Sequence, residues 1–209
     1  MSYQVLSRRY RPKKFSQVVG QTHLVRILRN AIAKKRPGHA YLFSGTRGVG
    51  KTSLARIFAM ALNCPHLDEQ MDPCGHCESC LEIEGQSSLD VLEMDAASNN
   101  GVDDIRELIE SVHYLPTKGK YKVYILDEVH MLSKEAFNAL LKTLEDPPQQ
   151  VVFLLATTSL DKILDTVVSR CQRLDFLLLT TKELTEAFEK ICREEKIELE
   201  QDVNPLRSI

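Results

Sequence analysis

Residues 45–52 contain three glycines, a lysine and a threonine at a spacing that suits phosphate chemistry. The glycines let the backbone bend so that several N–H groups converge on phosphate oxygens, and a following helix adds the positive end of its dipole. Lys51 can neutralise the outer phosphates, and the Thr52 hydroxyl can coordinate a Mg²⁺ ion that bridges two of them. We therefore predict that a nucleoside triphosphate binds here with Mg²⁺. The residues of this phosphate loop are Gly45, Thr46, Arg47, Gly48, Val49, Gly50, Lys51 and Thr52.

The flanks of the phosphate loop oppose the alternative of a glycine-rich turn that binds nothing. Residues 40–43 form a short apolar run, and residues 53–59 have the pattern of a helix. The sequence thus predicts the strand and the helix between which such a loop works.

Two adjacent carboxylates follow a second apolar run, at residues 123–126. Asp127, at the end of a buried strand, would emerge beside the phosphate loop and hold Mg²⁺ through the water shell of the ion. Glu128 could orient and polarise the water that attacks the terminal phosphate, which favours a hydrolase over a kinase. The alternative is a solvated acidic loop at the end of a strand.

Thr157 and Thr158 end a third apolar run, at residues 151–156. In a parallel sheet this end lies at the same edge as the phosphate loop, so a hydroxyl here could sense the terminal phosphate. Threonine is also common at strand ends because of its β-propensity and its local hydrogen bonds, and spacing does not decide between the two interpretations.

Four cysteines have the spacing of a metal site, with nine, two and two residues between them. Four thiolates close a tetrahedral Zn²⁺ site with no position for a substrate, so we predict a structural zinc module at about residues 63–84. An iron–sulfur cluster is the main alternative, but the cysteine that would complete a ferredoxin-type run is missing. His66 and His76 are possible substitute ligands that the four thiolates make unnecessary. The predicted ligands are Cys64, Cys74, Cys77 and Cys80.

Short apolar runs alternate with helical patterns along the chain, which predicts an α/β fold with a mostly parallel sheet. Ser133 can cap one helix, and Pro147-Pro148 ends the same helix. An amphipathic helix at residues 181–195 follows the last strand, so we place a boundary between a core, 1–178, and a second region, 179–209. The predicted strands are 41–44, 91–94, 123–126, 151–156 and 172–176, and the predicted helices are 22–34, 51–62, 102–114, 134–144 and 162–168.

The composition is that of an ordinary globular protein, with 209 residues, 43% hydrophobic content and a formal charge of −2. This charge argues against a basic coat for nucleic acid, so we expect any DNA contact to be local or shared between subunits. No apolar stretch approaches the roughly 20 residues that span a bilayer, and the basic amino terminus lacks the apolar segment of a signal peptide. We expect a cytoplasmic protein without a membrane segment.

Taken together, these residues resemble the γ/τ subunits of the bacterial DNA polymerase III clamp loader, which are AAA+ ATPases. The resemblance runs from about residue 3 to residue 176, and its order and density make it more specific than any single motif. The matching stretches are Arg11-Pro12 with Phe15, 18–21, 39–52, 126–132, 138–145, Pro147-Pro148, 154–158 and 169–171.

The resemblance implies an AAA+ core of five mostly parallel strands, a zinc module after the helix of the phosphate loop and the start of a helical lid. It implies ATP as the nucleotide and Thr157 as the phosphate-sensing residue. Arg170 would act in trans, on the triphosphate of a neighbouring subunit, and Arg11, Pro12 and Val19 would help enclose the adenine. The implied partners are the delta and delta prime subunits, further gamma/tau copies, the sliding clamp and primer–template DNA.

Two other functions compete with clamp loading: a small-molecule P-loop kinase with a zinc insertion, and a clamp-loader scaffold that does not hydrolyse ATP. Asp127-Glu128 and Arg170 oppose the kinase, and the intact phosphate loop opposes the scaffold. The family continues into a full lid and a collar domain, so we expect this chain to be a fragment or a truncated variant. Arg207 has no role assigned by the resemblance, because its neighbours depart from the lid motif.

Overall fold

A computed structural model describes residues 5–197 of the chain. Its centre is a sheet of five strands: β1 (Ala40–Ser44), β2 (Val91–Asp95), β3 (Lys122–Asp127), β4 (Val151–Thr157) and β5 (Gln172–Asp175). Their order in the sheet is β2-β3-β4-β1-β5, and every neighbouring pair is parallel. The prediction of a mostly parallel five-stranded sheet is therefore confirmed.

Helices connect the strands and cover both faces of the sheet. Short 3₁₀ turns at Phe15–Gln17, Val129–Met131 and Leu160–Lys162 complete the connections. The α-helices are α1 (Leu6–Arg9), α2 (Thr22–Ala33), α3 (Lys51–Asn63), α4 (Glu78–Glu84), α5 (Val102–Val112), α6 (Lys134–Glu145), α7 (Asp165–Val168) and α8 (Thr181–Glu195).

Each face of the sheet packs a separate hydrophobic core, because successive side chains of a strand point to opposite faces. Val123 and Ile125 of β3 join a core with α2, α3 and the cysteine segment. Tyr124 and Leu126 join a second core with α5 and α6. Burying one such large apolar side chain stabilises a fold by about 1.5–3 kcal/mol, so the continuous apolar runs of the sequence become the central strands.

The predicted elements agree with the structure except near some ends. Ser133 caps α6 as expected, since its Oγ accepts a hydrogen bond from the Ala136 N–H at 3.1 Å. The predicted helix at 162–168 is wrong in its first half, where a 3₁₀ turn ends at Lys162 and α7 begins only at Asp165. The sequence patterns also missed α4, a short helix that begins after Cys77, contains Cys80 and precedes β2.

Helix α8 matches its predicted bounds, and Thr180 and Glu183 form a capping box at its start. None of its residues is buried, and Phe188 on its apolar face is 57% exposed. The division of the chain near residue 178 stays a prediction, and Arg207 lies outside the described residues. Between residues 5 and 197, no helix combines the length and the apolar character that crossing a membrane requires.

Candidate functional site

The phosphate loop follows β1 and borders a cavity of about 890 Å³ at the carboxyl edge of the sheet. All residues of the phosphate loop except Gly45 and Val49 line this cavity, which we call the nucleotide cavity after its predicted ligand. Asp127 and Glu128 line it from the end of β3. The structure therefore brings together the two motifs that the sequence places about 75 residues apart. Parallel strands make this possible because their carboxyl ends share one edge.

Glycine is required at the turn of the phosphate loop. A Cβ at Gly45 would lie 2.8 Å from the Phe176 Cβ, which is closer than two carbon atoms can pack. Gly50 has a φ of 99° and forms the N-cap of α3. Glycine adopts this backbone conformation freely, whereas residues with a Cβ atom disfavour it. The first N–H groups of α3 thus begin at the cavity, where an anion is favoured.

Lys51 is folded into the phosphate loop, with only 6% of its surface exposed. Its Nζ donates hydrogen bonds to the carbonyl oxygens of Gly45, at 2.8 Å, and Thr46, at 3.0 Å. Burial lowers the pKa of Lys51, and the negative charges of Glu128 and Asp127 oppose that shift. The two carbonyl oxygens therefore hold the Lys51 ammonium within the phosphate loop.

Thr52 and Asp127 form the contact expected of a Mg²⁺ site. The Thr52 hydroxyl donates to Asp127 Oδ2 at 2.5 Å, and the Glu128 N–H donates to Asp127 Oδ1 at 2.9 Å. A hydroxyl and a carboxylate beside a cavity are the hard oxygen ligands that Mg²⁺ prefers together with phosphates and water. The residues present therefore fit this ion.

Glu128 is presented to the cavity by an unusual backbone conformation and two polar neighbours. Its φ of 49° lies in the left-handed region, which costs a residue other than glycine about 1–3 kcal/mol. The Thr158 hydroxyl donates to Glu128 Oε2 at 2.8 Å, and His130 Nδ1 lies 3.3 Å from the same oxygen. The carboxylate is thus oriented rather than free to rotate.

The two threonines at the end of β4 have different surroundings. Thr157 is completely buried, and its Oγ1 lies 3.2 Å from His130 Nδ1 and accepts the Ser159 N–H. Thr158 lines the nucleotide cavity, whereas Thr157 does not. The phosphate-sensing role of Thr157 stays a prediction, and the geometry favours Thr158 as the threonine that acts at the cavity.

The remaining predicted residues lie at or beyond the rim. Arg11 lines the nucleotide cavity, and Pro12 lines a neighbouring cavity of about 660 Å³. Val19 is 40% exposed and lines neither of these two cavities. Arg170 lies away from the cavity, where it forms an ion pair with Glu145 and donates to the Thr166 carbonyl oxygen at 2.6 Å. The role of Arg170 and the enclosure of the adenine by Arg11, Pro12 and Val19 stay predictions.

Further residues line the nucleotide cavity that the sequence patterns did not select, among them Ser53, Asp95 and His130. Asp95 could have been found, because it ends β2 and pairs in register with Asp127. His130 belongs to a 3₁₀ turn whose direction depends on the left-handed Glu128, so no periodicity predicts where it points.

The four predicted cysteines form a cluster after α3, with all Sγ atoms within 4.8 Å of one another. Cys64 and Cys77 have sulfurs 3.9 Å apart, and four thiolates at about 2.3 Å from one tetrahedral Zn²⁺ would be roughly 3.8 Å apart. A cubic iron–sulfur cluster would hold its cysteine sulfurs farther apart, so the spacing fits a single ion. The rings of His66 and His76 are not part of the cluster.

Hydrogen bonds and burial prepare these thiols differently. Burial raises the pKa of Cys64 and of Cys80. Burial also acts to raise the pKa of Cys74, but N–H groups of His76 and Cys77 outweigh it and bring that pKa down to about 6. The lowered pKa of Cys74 favours its thiolate, the form that binds metal.

The parallel sheet, the phosphate loop before α3 and the acidic pair after β3 define the fold as a P-loop NTPase core of the AAA+ type. The RuvB Holliday junction branch migration motor of Thermotoga maritima has the same fold, with a TM-score of 0.62 and 22% identity. The match covers 91% of this chain and 56% of that one. At this identity the likeness concerns the fold alone.

Residues 20–180 match the model of the family described as DNA polymerase III, delta subunit, and the chain belongs to this family. It is 52% identical to the DNA polymerase III subunit tau of Bacillus subtilis (strain 168), over 96% of this chain and 36% of that protein. It is 51% identical to the subunit tau of Escherichia coli (strain K12), over 94% of this chain and 30% of the relative. The resemblance to tau and gamma subunits is confirmed, and the chain spans about a third of these relatives.

Proposed function

We infer that this chain binds ATP with Mg²⁺ in the nucleotide cavity and hydrolyses it as a motor subunit of a bacterial DNA polymerase III clamp loader. The observation that carries the inference is the 2.5 Å contact between the Thr52 hydroxyl and Asp127, with Glu128 next in the chain. A phosphate loop alone serves kinases and hydrolases equally. The oriented carboxylate beside it supports hydrolysis.

The residues of the cavity divide the work of hydrolysis between them. The N–H groups of the phosphate loop and the Lys51 ammonium bind the outer phosphates, and Thr52 and Asp127 would hold Mg²⁺, which neutralises charge on them. Glu128 orients a water molecule and accepts its proton as the water oxygen bonds to the terminal phosphorus. The bond from that phosphorus to ADP breaks, so that ADP and phosphate leave.

Thr158 supports this reaction through Glu128. Its hydroxyl donates to Glu128 Oε2 at 2.8 Å, so it limits the directions in which the carboxylate can accept a proton. A water near the terminal phosphate would then meet an acceptor that is already aligned, which lowers the entropic cost of the attack.

The clamp-loader role rests on the relatives, which are named tau subunits of DNA polymerase III. We infer that the chain assembles in the cytoplasm with the delta and delta prime subunits and with further gamma/tau copies. ATP binding would let this assembly open the sliding clamp around primer–template DNA, and hydrolysis would release both. The formal charge of the chain is only −2. Because DNA binding depends on basic groups that neutralise phosphates, this charge fits DNA contacts that several subunits of an assembly share.

Arg170 fits a role on a neighbouring subunit better than a role in its own chain. It is partly exposed, with 32% of its side chain accessible, and it does not line the nucleotide cavity of its own chain. Its ion pair with Glu145 holds the guanidinium at the surface. An arginine so placed could stabilise the charge that develops on a phosphoryl group across an interface.

The cysteine cluster is proposed as a structural Zn²⁺ site. The spacing of its sulfur atoms fits one tetrahedral ion. Four thiolates complete the coordination of that ion, so no position remains for a substrate. Metal analysis of the purified chain should find about one zinc per chain. Iron with visible absorbance would instead support a cluster.

The decisive test exchanges Glu128 for glutamine and measures ATP binding and turnover in an assembly reconstituted with delta and delta prime. Glu128→Gln should leave the dissociation constant for ATP within about twofold and lower turnover by about 10²–10⁴-fold, the range for general-base catalysis. Glu107→Gln, at an exposed position of α5, is the matched control and should leave both values unchanged.

Turnover that survives in Glu128→Gln would contradict the hydrolytic role of that carboxylate. If phosphate release required a small phosphoryl acceptor and ignored DNA and partner subunits, the kinase alternative would replace this function. Absence of hydrolysis by the wild-type assembly, with ATP binding intact, would support the scaffold.

A further inference from the structure

Asp72 is a buried carboxylate in the cysteine module, the segment at about residues 63–84 that contains the four clustered cysteines. It contacts two parts of the chain outside this module. Its side chain is only 2% exposed. Both carboxylate oxygens lie 3.3 Å from the Ser16 backbone nitrogen, which donates to them, and Oδ1 accepts from Arg29 Nη2 at 3.3 Å. A buried charge is costly unless it is paired, so these partners hold the carboxylate in place.

A tight turn between Cys64 and Cys74 presents Asp72 to these partners. Asp68 Oδ1 accepts the N–H groups of Gln70, at 2.9 Å, and Asp72, at 2.8 Å. Met71 completes the turn with a φ of 62°. The position of the Asp72 carboxylate is therefore determined by the fold of the cysteine module.

Arg29 joins the same contact from α2. Its guanidinium lies 5.7 Å from the centre of the Phe15 ring, and its Nε is buried without a hydrogen-bond partner within the described residues. The ion pair with Asp72 and the aromatic contact must offset the cost of that buried nitrogen. Arg29 therefore fixes the Phe15–Gln17 turn and the carboxylate against each other.

A second contact connects residues 13–17 to the cysteine module, on the amino-terminal side of Ser16. Lys13 forms an ion pair with Glu84 at the end of α4, and the Lys13 N–H donates to Gln17 Oε1 at 2.9 Å. Residues 13–17 are thus held by the cysteine module at both ends. Arg11, two residues earlier, lines the nucleotide cavity.

We propose that Asp72 is a positioning residue for nucleotide binding: through the Ser16 N–H it fixes the segment that carries Arg11 to the rim of the nucleotide cavity. This inference rests on the proposed binding of ATP. It assigns the cysteine module a task beyond its own stability, because the module sets the position of a wall of the cavity that belongs to another part of the chain. Loosening the contact would let Arg11 leave the rim.

The test compares Asp72→Asn with Asp90→Asn in the wild-type background. Asp90 is a matched control because it is also buried and accepts three backbone N–H groups, those of Thr117, Lys118 and Gly119, at 2.6–2.8 Å. Both variants should lose stability, since each weakens a charged acceptor in a buried site. Only Asp72 contacts the segment next to the cavity.

Two measurements separate positioning from general stability: the dissociation constant for ATP and the hydrogen exchange of the Ser16 amide. Asp72→Asn should weaken ATP binding about fivefold and accelerate Ser16 exchange about tenfold, as loss of a charge-assisted hydrogen bond predicts. Zinc content should stay at about one per chain. Asp90→Asn should leave the ATP affinity and the Ser16 exchange unchanged.

A second variant, Glu84→Gln, tests the other contact without touching the buried carboxylate. Because the Lys13–Glu84 pair is exposed, it should weaken ATP binding only about twofold. The inference is overturned if Asp72→Asn keeps wild-type ATP affinity, whether or not Ser16 exchanges faster, or if Asp90→Asn weakens ATP binding as much. A wild-type chain that binds no ATP would instead overturn the proposed function, which distinguishes the two failures.

Discussion

The nucleotide cavity and the cysteine cluster stand at opposite ends of α3 and obtain their geometry in different ways. The cavity collects groups from the ends of several strands, so Thr52 meets Asp127 only because the sheet is parallel. The cluster takes its ligands from one short stretch, Cys64 to Cys80, which ends in the first turn of α4. The cavity depends on the whole sheet, whereas the cluster depends mainly on local chain geometry.

The two regions also differ in what they leave accessible. The cavity is open at the edge of the sheet, and its acidic and basic groups face the space that a nucleotide would fill. The cluster is closed by four sulfurs, two of them from buried residues. An open site allows a substrate to bind and turn over, whereas a metal site closed by four protein ligands is structural. The following changes test whether the nucleotide cavity and the cysteine cluster function independently of each other.

Among the three changes that follow, Arg170→Ala has the largest expected effect. In the reconstituted assembly, ATP turnover should fall about 10³-fold, because a charge that stabilises the transferring phosphoryl group is lost. In the isolated chain, the dissociation constant for ATP should not change. Arg173→Ala, an exposed arginine three residues away that pairs with Asp175, is the control.

Equal loss of ATP affinity and turnover in Arg170→Ala would show that this arginine serves its own cavity. The nucleotide site would then be complete within one chain. Mixing the variant with wild-type subunits would confirm the assignment, since a subunit with an intact neighbour should keep its activity.

Lys51→Ala should weaken ATP binding about 100-fold, since it removes a buried charged donor from the phosphate loop. Zinc content should be unchanged, because α3 keeps its position. Calorimetric titration with ATP and metal analysis of the same sample measure both values. The exposed Lys190→Ala serves as the control, and wild-type affinity in Lys51→Ala would refute the phosphate-loop assignment.

Of the three changes, Cys80→Ser should have the smallest effect on ATP binding. It tests most directly whether the nucleotide cavity depends on the cysteine cluster. It should release zinc, lower the melting temperature and weaken ATP binding about fivefold through the contact of Asp72 with Ser16. Cys192→Ser, outside the cluster, should change none of these values. Unchanged ATP affinity after zinc loss would show that the two regions are independent.

Local chemistry explains how much of this molecule could be predicted from its sequence. The phosphate loop, the Asp127-Glu128 pair and the four cysteines are close in sequence within each motif, and their spacing encodes their function. The buried strands were also predictable, because both faces of a central parallel strand are covered and its side chains are apolar.

Other parts could not be predicted because they depend on which way a side chain points at the end of an element. Thr157 and Thr158 are neighbours, yet only Thr158 lines the cavity. Asp72 meets a backbone N–H 56 residues away, a contact that no periodicity encodes. The extent of α7 depended on a 3₁₀ turn that competes with a helical pattern.

Helix α3 begins with Lys51 at the phosphate loop and ends at Asn63, directly before the first cysteine of the cluster. Inserting one residue into this helix would turn everything beyond it by about 100° and move it by about 1.5 Å. Either the lysine or the cysteine would then face the wrong way. We expect insertions and deletions in relatives of this sequence to be rejected inside α3.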